Sequence, residues 1–499
     1  MYAGKASAAT LFLAVLSATN YTSAQNILDD ATLKRMHREA FYNSQADAVF
    51  GTLTAVIGPR LTASPAHKRA AEYTKDVLAK IGLTNARLEP WHFGRGWSLE
   101  RQTIEMIEPR YLPLLGYADA WSASTKGEIV ATPVMVAGKT PEQIAAMGPA
   151  LKGAIVLTMP TVTNFIRKDR PQPSDPAYVP NSAAFATNVR VPGLAGPTRV
   201  TPIQQLSRVL STAGAGVLIS PSRGEHGTVF VTGRDGGPGA APSLALAGEH
   251  YNMIVDMLSR NIVVKLRVNI DSRFYDDDQG NAYNVLAELP GADPSVREEV
   301  VMIGAHLDSW HTGTGATDNA DGVTTVIEAM RIIKDAGLHP RRTIRVALWG
   351  GEEQGLLGSK AWVQQHLMGD QNAAARRQLN VYFNIDNGTG PIYGWYAQND
   401  EKAKSVFDRW LEPLKEYGAR RNTLEPIGST DHLSFIGAGV PGFNPIQDYT
   451  NYDVRTHHTN MDTADRLNVT DIREAALMMA AFAYNASITD APFPRQSTK

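Results

Sequence analysis

From about Asn281 to its end, the sequence alternates strand-like and helix-like segments, and this alternation constrains the fold more than any other feature. Three segments have the apolar and β-branched residues of buried strands: EEVVMIGAHLD, RTIRVALWGGEE and LNVYFNIDNGTG. Two segments between them have helical periodicity: DGVTTVIEAMRIIKDAGL and GSKAWVQQHL. Such alternation is typical of an α/β fold, so we expect a three-layer sandwich with a mostly parallel central sheet.

Polar residues follow each of these three apolar strands at the point where the strand ends. They are His306 and Asp308 after the first strand, Glu352 and Glu353 after the second, and Asp386 after the third. Open α/β sheets bind their ligands at the carboxyl ends of the strands. We therefore expect these side chains to meet at one edge of the sheet.

The spacing of His306 and Asp308 puts both side chains on the same face of an extended segment. In that arrangement His306 can bind a metal ion, while the Asp308 carboxylate orients the imidazole and raises its basicity. An ordinary exposed histidine and a turn aspartate are the competing interpretation. Asp386 has a similar alternative, because the Asn387-Gly388 pair that follows it is typical of a turn.

Glu352 and Glu353 form the more specific signal, because two adjacent carboxylates after a buried strand repel each other. A metal ion would relieve the repulsion if it bound Glu353 and left Glu352 free as a base for water. A solvated acidic pair is the alternative.

Asp318 lies in a glycine-rich turn, GATDNADGV, where a helix N-cap is the common role of an aspartate. A calcium loop is a second alternative, since Asn319, Asp321, Gly322 and Glu328 fall at EF-hand positions. Thr317 at the first position and the preceding strand weaken that alternative. A carboxylate that bridges two cations is the third.

His458 is weak evidence by itself, although the polar segment THHTNMDT contains two adjacent histidines. The chain has no cysteine, so any zinc must be held by histidines and carboxylates. Two zinc ions fit the set as a whole, each with one imidazole, one terminal carboxylate and a share of a bridging aspartate. No G-x-S-x-G nucleophile motif is present, which leaves metal-activated water as the favoured chemistry.

The rest of the chain predicts other elements. Leu33 to about Val49 reads as an amphipathic helix, and a second helix has Ser64 as N-cap and Gly82 as its end. Residues 116–272 carry short strand segments between Gly and Pro residues, namely GEIVATPVMVAG, LKGAIVLTMP, GAGVLIS and APSLALA. Helices are expected between them at Pro202–Ala213 and His250–Leu258. We expect an accessory domain there, between two parts of the main domain at residues 27–115 and 273–499.

The first 24 residues have the pattern of a secretory signal, with Lys5, an apolar stretch from Ala8 to Ala18, and small residues up to Ala24. The stretch is shorter than the roughly 20 residues that span a bilayer. We therefore expect a secreted or periplasmic protein without a membrane anchor after cleavage. The net charge of -2 gives no reason to expect nucleic acid as a partner.

Taken together, these motifs resemble the co-catalytic di-zinc aminopeptidase family, in particular plasma glutamate carboxypeptidase and its bacterial relatives. The resemblance covers most of the chain after residue 24, through IGPRLTAS, AHLDSWHTGTGATDNADG, ALWGGEEQGLLGS, FNIDNGTG, STDHLSFIGAGVPG and HHTNMDT. The middle segment resembles the protease-associated domain that is often inserted in this family.

The resemblance implies that His306 and His458 each bind one zinc ion, that Asp318 bridges the ions, and that Glu353 and Asp386 complete the two sites. It makes Glu352 the general base and acid, and Asp308 the partner of His306. Many relatives have tyrosine immediately before the last histidine, where this chain has His457. The donor to the oxyanion is therefore left open.

We expect an exopeptidase that acts on peptides, with an aminopeptidase or dipeptidase preferred over a carboxypeptidase. Two alternatives remain: a glutaminyl-cyclase-like acyltransferase with one zinc ion, and a non-catalytic binding protein on the same scaffold. The number of metal ions per chain distinguishes the three. Pairing with a second copy of the chain is left open.

Overall fold

The structure is a computed structural model that describes residues 28–179 and 202–495. The expected signal sequence and most of the Pro-rich loop between Pro171 and Pro202 lie outside the described residues. Within the two described ranges, no helix is both long and apolar enough to cross a bilayer.

The helices are α1 Asp30–Tyr42, α2 Ala46–Gly51, α3 Pro65–Ile81, α4 Pro141–Ala146, α5 Pro202–Thr212, α6 Gly248–Ser259, α7 Asp321–Asp335, α8 Leu357–His366, α9 Ala373–Gln378, α10 Glu401–Leu411, α11 His432–Gly437 and α12 Val469–Ile488. The strands are β1 Thr84–His92, β2 Gly96–Glu108, β3 Leu112–Pro113, β4 Gly116–Ala118, β5 Ile129–Ala131, β6 Val134–Met135, β7 Ile155–Leu157, β8 Val217–Pro221, β9 Ser243–Leu246, β10 Lys265–Tyr275, β11 Asn281–Leu289, β12 Val300–His306, β13 Thr343–Trp349, β14 Leu379–Asn384, β15 Ile392–Trp395, β16 Gly442–Phe443 and β17 Pro445–Gln447.

The central sheet has six strands in the order β1-β11-β13-β12-β14-β16. The four strands β13, β12, β14 and β16 run parallel to one another. Strand β11 pairs antiparallel with β13 on one side and with β1 on the other. The expected mostly parallel sheet is therefore confirmed, with an antiparallel pair added at one side.

Helices cover both faces of this sheet, which gives the three layers of the sandwich. Along β12, Val301 and Ile303 pack on one face with residues of α7 and α12. Met302 points to the opposite face and packs with Trp362 of α8 and Phe435 of α11. Burial on both faces explains why β12 reads as a continuous apolar run.

The middle of the chain forms two smaller sheets, which pack around a shared apolar cluster. One is a four-stranded antiparallel sheet, β3-β2-β10-β5, and the other has five strands in the order β4-β9-β8-β7-β6. Each of the four strand segments expected in this part of the sequence contains at least one strand, and the two expected helices are α5 and α6.

The helix expected from Leu33 to about Val49 is divided into α1 and α2, which is a difference from the sequence pattern. The side chain of Glu328 on α7 accepts hydrogen bonds from Ser44 Oγ (2.9 Å) and from the backbone N–H of Gln45 (3.2 Å). This contact fixes the break between the helices. The helix with Ser64 as N-cap is as expected, since Ser64 accepts from His67 N and left-handed Gly82 ends it.

Candidate metal centre

The residues expected at the strand ends lie together at the carboxyl edge of the parallel strands. His306 is the last residue of β12, and Asp386 lies two residues beyond β14, which is hydrogen-bonded to β12. Glu352 and Glu353 follow β13 on the other side of β12, after Gly350 and Gly351. The side chains of His306, Asp386 and Glu353 are almost completely buried.

Asp318 lies between the two imidazoles. Its Oδ1 is 3.1 Å from His306 Nε2, and its Oδ2 is 3.4 Å from His458 Nε2. It lies in an irregular turn, Ala316–Ala320, where its own backbone is non-helical (φ -129°, ψ 80°), and it makes no N-cap contact with α7, whose N-cap position is Ala320. The N-cap alternative is therefore wrong. So is the calcium loop, because Glu328 is engaged by Arg331 and Ser44 instead of facing the turn.

A second carboxylate accompanies each imidazole. Asp386 Oδ1 lies 3.5 Å from His306 Nε2, and Glu353 Oε2 lies 2.9 Å from His458 Nε2. The result is two adjacent sets of one histidine and one carboxylate, with Asp318 shared between them. The structure thus brings together all five residues expected as ligands.

Several buried polar atoms of these sets have no hydrogen-bond partner among the described residues. They are His306 Nε2, Asp318 Oδ2 and Glu353 Oε1. Buried polar atoms normally have partners, and such atoms call for an ion or a water molecule. Three groups of acid and imidazole atoms within 4.8 Å of one another occur in this region: His306 with Glu352 and Asp386, His306 with Asp318 and Glu353, and Asp318 with His457 and His458. Nitrogen and carboxylate oxygen donors at this spacing fit zinc.

The charge balance of the site also favours bound cations. Burial raises the pKa of Glu353 to about 7, and the neighbouring Asp318 adds to the rise. Burial also raises the pKa of Glu352 well above its usual value, with further contributions from Asp386 and Asp431. Burial lowers the pKa of His458, but the carboxylates of Glu353 and Asp318 outweigh the effect of burial and raise this pKa to about 9. Crowded buried carboxylates of this kind need positive charge beside them.

Asp308 contributes to the site through its backbone carbonyl as well as its carboxylate. The Nδ1–H of His306 donates to the backbone carbonyl of Asp308 (3.0 Å), whereas the Asp308 carboxylate is 3.7 Å from that nitrogen. The carbonyl contact leaves Nε2 of His306 free for a metal ion. The carboxylate itself accepts the backbone N–H groups of Glu352 (3.2 Å) and Glu353 (3.3 Å), and the hydroxyl of Thr62 (2.9 Å).

Two buried residues that support this site were not singled out from the sequence. The Asp462 carboxylate accepts the backbone N–H groups of Thr317 (2.7 Å) and Asp318 (3.3 Å). The Arg60 guanidinium donates to the carbonyls of Leu307, Gly58, Thr314 and Gly315 at 2.7–3.0 Å. Arg60 and Asp462 lie in or beside motifs that carry the resemblance, but no spacing rule assigns them a role.

His458 is the most accessible residue of the five, with 29% of its side chain exposed. It follows a π-helical turn, Tyr452–Thr456, and has a left-handed backbone with φ 61°. Its imidazole contacts Trp310 edge-on, and His457 lies against its other side at 3.8 Å between ring centroids. A small pocket opens here, lined by Trp310, Gly313, Gly315, Asp318, Glu353, His458, Thr459 and Asp462.

Comparison with known proteins shows which proteins this chain is similar to. Residues 284–483, which include all five candidate ligands, match the model of peptidase family M28. Carboxypeptidase Q (plasma glutamate carboxypeptidase) from Bos taurus is 27% identical over 445 residues, which cover 89% of this chain and 85% of that protein.

Two solved structures share the fold. A peptidase M28 precursor from Shewanella amazonensis has a TM-score of 0.70 and 25% identity, and the match covers 95% of this chain and all of that one. A zinc aminopeptidase from Bacillus subtilis has a TM-score of 0.59 and 18% identity, covering 90% of this chain and 97% of that one. The resemblance found from the motifs is therefore confirmed.

Proposed function

We propose that the chain is an exported, zinc-dependent exopeptidase of peptidase family M28, which hydrolyses peptide bonds with two zinc ions per chain. The observation that carries the proposal is the position of Asp318 between His306 and His458, with one carboxylate oxygen toward each imidazole. A carboxylate in this position can bridge two cations. A single-zinc site, as in the cyclase alternative, would not need the second imidazole.

Two sets of residues would hold the ions. His306 and Asp386 would hold one ion, His458 and Glu353 the other, and Asp318 would be shared. When bound, the zinc ions would polarise the peptide carbonyl and lower the pKa of a water molecule. Each imidazole would bind through Nε2, and for His306 the hydrogen bond from Nδ1 to the Asp308 carbonyl selects that tautomer.

Glu352 is the residue of this chain that we assign to proton transfer. It is buried, belongs to the group with His306 and Asp386, and is not needed as a ligand in either set. Its carboxylate would take a proton from the attacking water and pass it to the leaving amine. The Asp308 carboxylate holds the backbone of Glu352 and Glu353, so it positions the base and one ligand together.

An aminopeptidase or dipeptidase activity is our preferred specificity. The similarity to an aminopeptidase and to a carboxypeptidase supports exopeptidase action in general. We also propose that residues 116–272 form a protease-associated domain inserted between two parts of the peptidase domain, and that residues 1–24 direct export. The binding-protein alternative would require the loss of ligands, and all five are present.

The test is an assay of the purified protein on a matched peptide panel. Hydrolysis is measured for peptides with free ends, with a blocked N-terminus and with an amidated C-terminus. Each peptide is assayed in the presence of zinc, in the presence of chelator, and after zinc has been added back. We expect hydrolysis of free peptides that chelator abolishes and zinc restores, with two zinc ions per chain. Loss of hydrolysis when the N-terminus is blocked, but not when the C-terminus is amidated, supports an aminopeptidase. One ion per chain with cyclisation of N-terminal glutamine, or no turnover at all, would overturn the proposal.

A further inference from the structure

The loop that carries His458, residues 451–460, is held in place by a distant part of the chain. Asp169 and Arg170, which precede it by more than 280 residues, contact its beginning directly. We call these two residues the clamp. They belong to residues 116–272, which we call the middle region, and lie outside the central sheet and outside both sets of candidate ligands.

Asp169 binds the backbone at both ends of the first part of this loop. Its Oδ2 accepts the N–H of Asn451 (2.9 Å), and its Oδ1 accepts the N–H of Val454 (3.1 Å). Arg170 binds the residue between them: its backbone N–H (2.8 Å) and its guanidinium Nε (2.9 Å) both donate to Oδ2 of Asp453. The π-helical turn Tyr452–Thr456 is thus fixed from outside by both side chains.

A continuous stack of side chains connects the clamp to His458. The Arg170 guanidinium lies over the ring of Tyr452, 5.6 Å from its centroid. Tyr452 is buried and stacks on His457 at 5.0 Å with an interplanar angle of 23°. His457 in turn contacts His458 at 3.8 Å between centroids.

A second segment of the middle region holds the far end of the same loop. The N–H of Val231 donates to the carbonyl of His458 itself (3.0 Å), and the N–H of Val229 donates to Asn460 Oδ1 (2.7 Å). Phe230 and Thr459 form an antiparallel bridge between these contacts. Both flanks of His458 are therefore fixed by the middle region.

His306 differs from His458 in this respect. His306 is the last residue of β12, between two hydrogen-bonded parallel strands, so the sheet fixes its backbone without a contact from the described part of the middle region. His458 belongs to no strand or helix and has a left-handed backbone. In this conformation of the loop, its imidazole lies 3.4 Å from the Asp318 carboxylate and 2.9 Å from the Glu353 carboxylate.

The geometry points to the middle region as a working part of the metal centre: the clamp positions His458 and thereby sets the affinity of the zinc site formed with Glu353 and Asp318. This inference rests on the proposed two-zinc function. It assigns Asp169 and Arg170 as positioning residues, since neither touches the candidate ligands or the reacting atoms. The other site, with His306 and Asp386, should be little affected by them.

The test is a zinc titration of the full-length chain against a chromogenic chelator, which resolves the two binding events. In Asp169→Ala we expect the dissociation constant of one event, which is that of the site with His458, to rise by about tenfold or more, as for other residues that orient a ligand. The dissociation constant of the other event should stay within about twofold of wild type by the same reasoning. Asp169→Asn keeps one acceptor oxygen and should be intermediate, and Arg170→Met should resemble Asp169→Ala.

Asp235→Ala is the matched control. Asp235 also lies in the middle region, accepts from an arginine (Arg95 Nε, 2.9 Å) and from a backbone N–H (Gly237, 2.8 Å), and these partners lie outside the His458 loop. The Asp235→Ala variant should give the same zinc titration curve as the wild-type protein. A wild-type curve for Asp169→Ala and Arg170→Met, or equal weakening of both events, overturns the clamp's role. Wild-type protein that binds fewer than two zinc ions overturns the proposed function itself.

Discussion

Replacement of Arg60 is the perturbation that most sharply separates metal-site support from ordinary packing. Arg60 is completely buried, and its guanidinium donates to the carbonyl of Leu307, directly after His306, and to those of Thr314 and Gly315, just before Asp318. It therefore ties together the two segments that present His306 and Asp318. Buried carboxylates of Asp462, Asp308, Asp318 and Glu353 are its charged neighbours.

Arg60→Met keeps most of the apolar stem but removes every donor and the charge. A net contribution of about 1 kcal/mol or more for each of the four short hydrogen bonds predicts a loss of about 3–5 kcal/mol in the free energy of unfolding. Arg60→Lys should lose nearly as much, because an ammonium group cannot replace the planar fork. Zinc affinity should fall with both variants, because the segments that present His306 and Asp318 lose the hydrogen bonds that hold them in place.

The assay is urea denaturation with zinc and with chelator, combined with a zinc titration. Arg342→Met is the matched control: Arg342 is equally buried, but its guanidinium pairs with Glu299 and the carbonyl of Thr489 outside the metal centre. It should lose stability and keep wild-type zinc affinity. The reasoning is refuted if Arg60→Met loses less than about 1 kcal/mol, or if both arginine variants change zinc affinity equally.

Three further predictions concern other parts of the account. Asp308→Ala should lower kcat by about tenfold or more with a smaller effect on KM, because the backbone of Glu352 and Glu353 loses its acceptor; steady-state kinetics with an unchanged kcat would contradict this. Zinc at about 100 times its dissociation constant should add about 3 kcal/mol per site to the free energy of unfolding, and identical denaturation curves with zinc and chelator would argue against bound metal. Burial raises the pKa of the Asp119 carboxyl from 3.8 to about 6, although the hydrogen bond from Ser243 opposes the rise. The stability that protonated Asp119 supports is therefore complete below pH 3.8 and is lost as the pH rises through about 6. Asp119→Asn should flatten this part of the stability curve, and an unchanged slope would exclude the assignment.

The part of the site that the sequence predicts best is the part built by the parallel strands. His306, Glu353 and Asp386 each follow an apolar run, and the hydrogen-bonded order of β13, β12 and β14 brings such positions to one edge. Periodicity says nothing about Asp318 and His458, because Asp318 lies in an irregular turn and His458 lies two residues after the end of another turn, and neither segment has a repeating pattern. For these two, the resemblance to a family was the informative signal.

Other features could not be predicted because they depend on contacts between distant segments. The sequence predicts the Asp308 carboxylate as the partner of His306, but it does not predict that the backbone carbonyl of Asp308 also contacts the imidazole or that the carboxylate also binds the next strand end. The break between α1 and α2 depends on Glu328, more than 280 residues away. Arg60 reaches its carbonyl partners across about 250 residues, so no local pattern reveals it.

The most direct test of the central claim compares Glu352→Gln with Glu353→Gln in zinc content and peptide hydrolysis. The two residues are neighbours and both are buried, but only Glu353 contacts His458 as a candidate ligand. We predict that Glu352→Gln keeps two zinc ions per chain while kcat falls by at least about 100-fold, whereas Glu353→Gln loses zinc as well as activity. Near-normal turnover of Glu352→Gln, or equal loss of zinc from both variants, would contradict the assignment of Glu352 as the base.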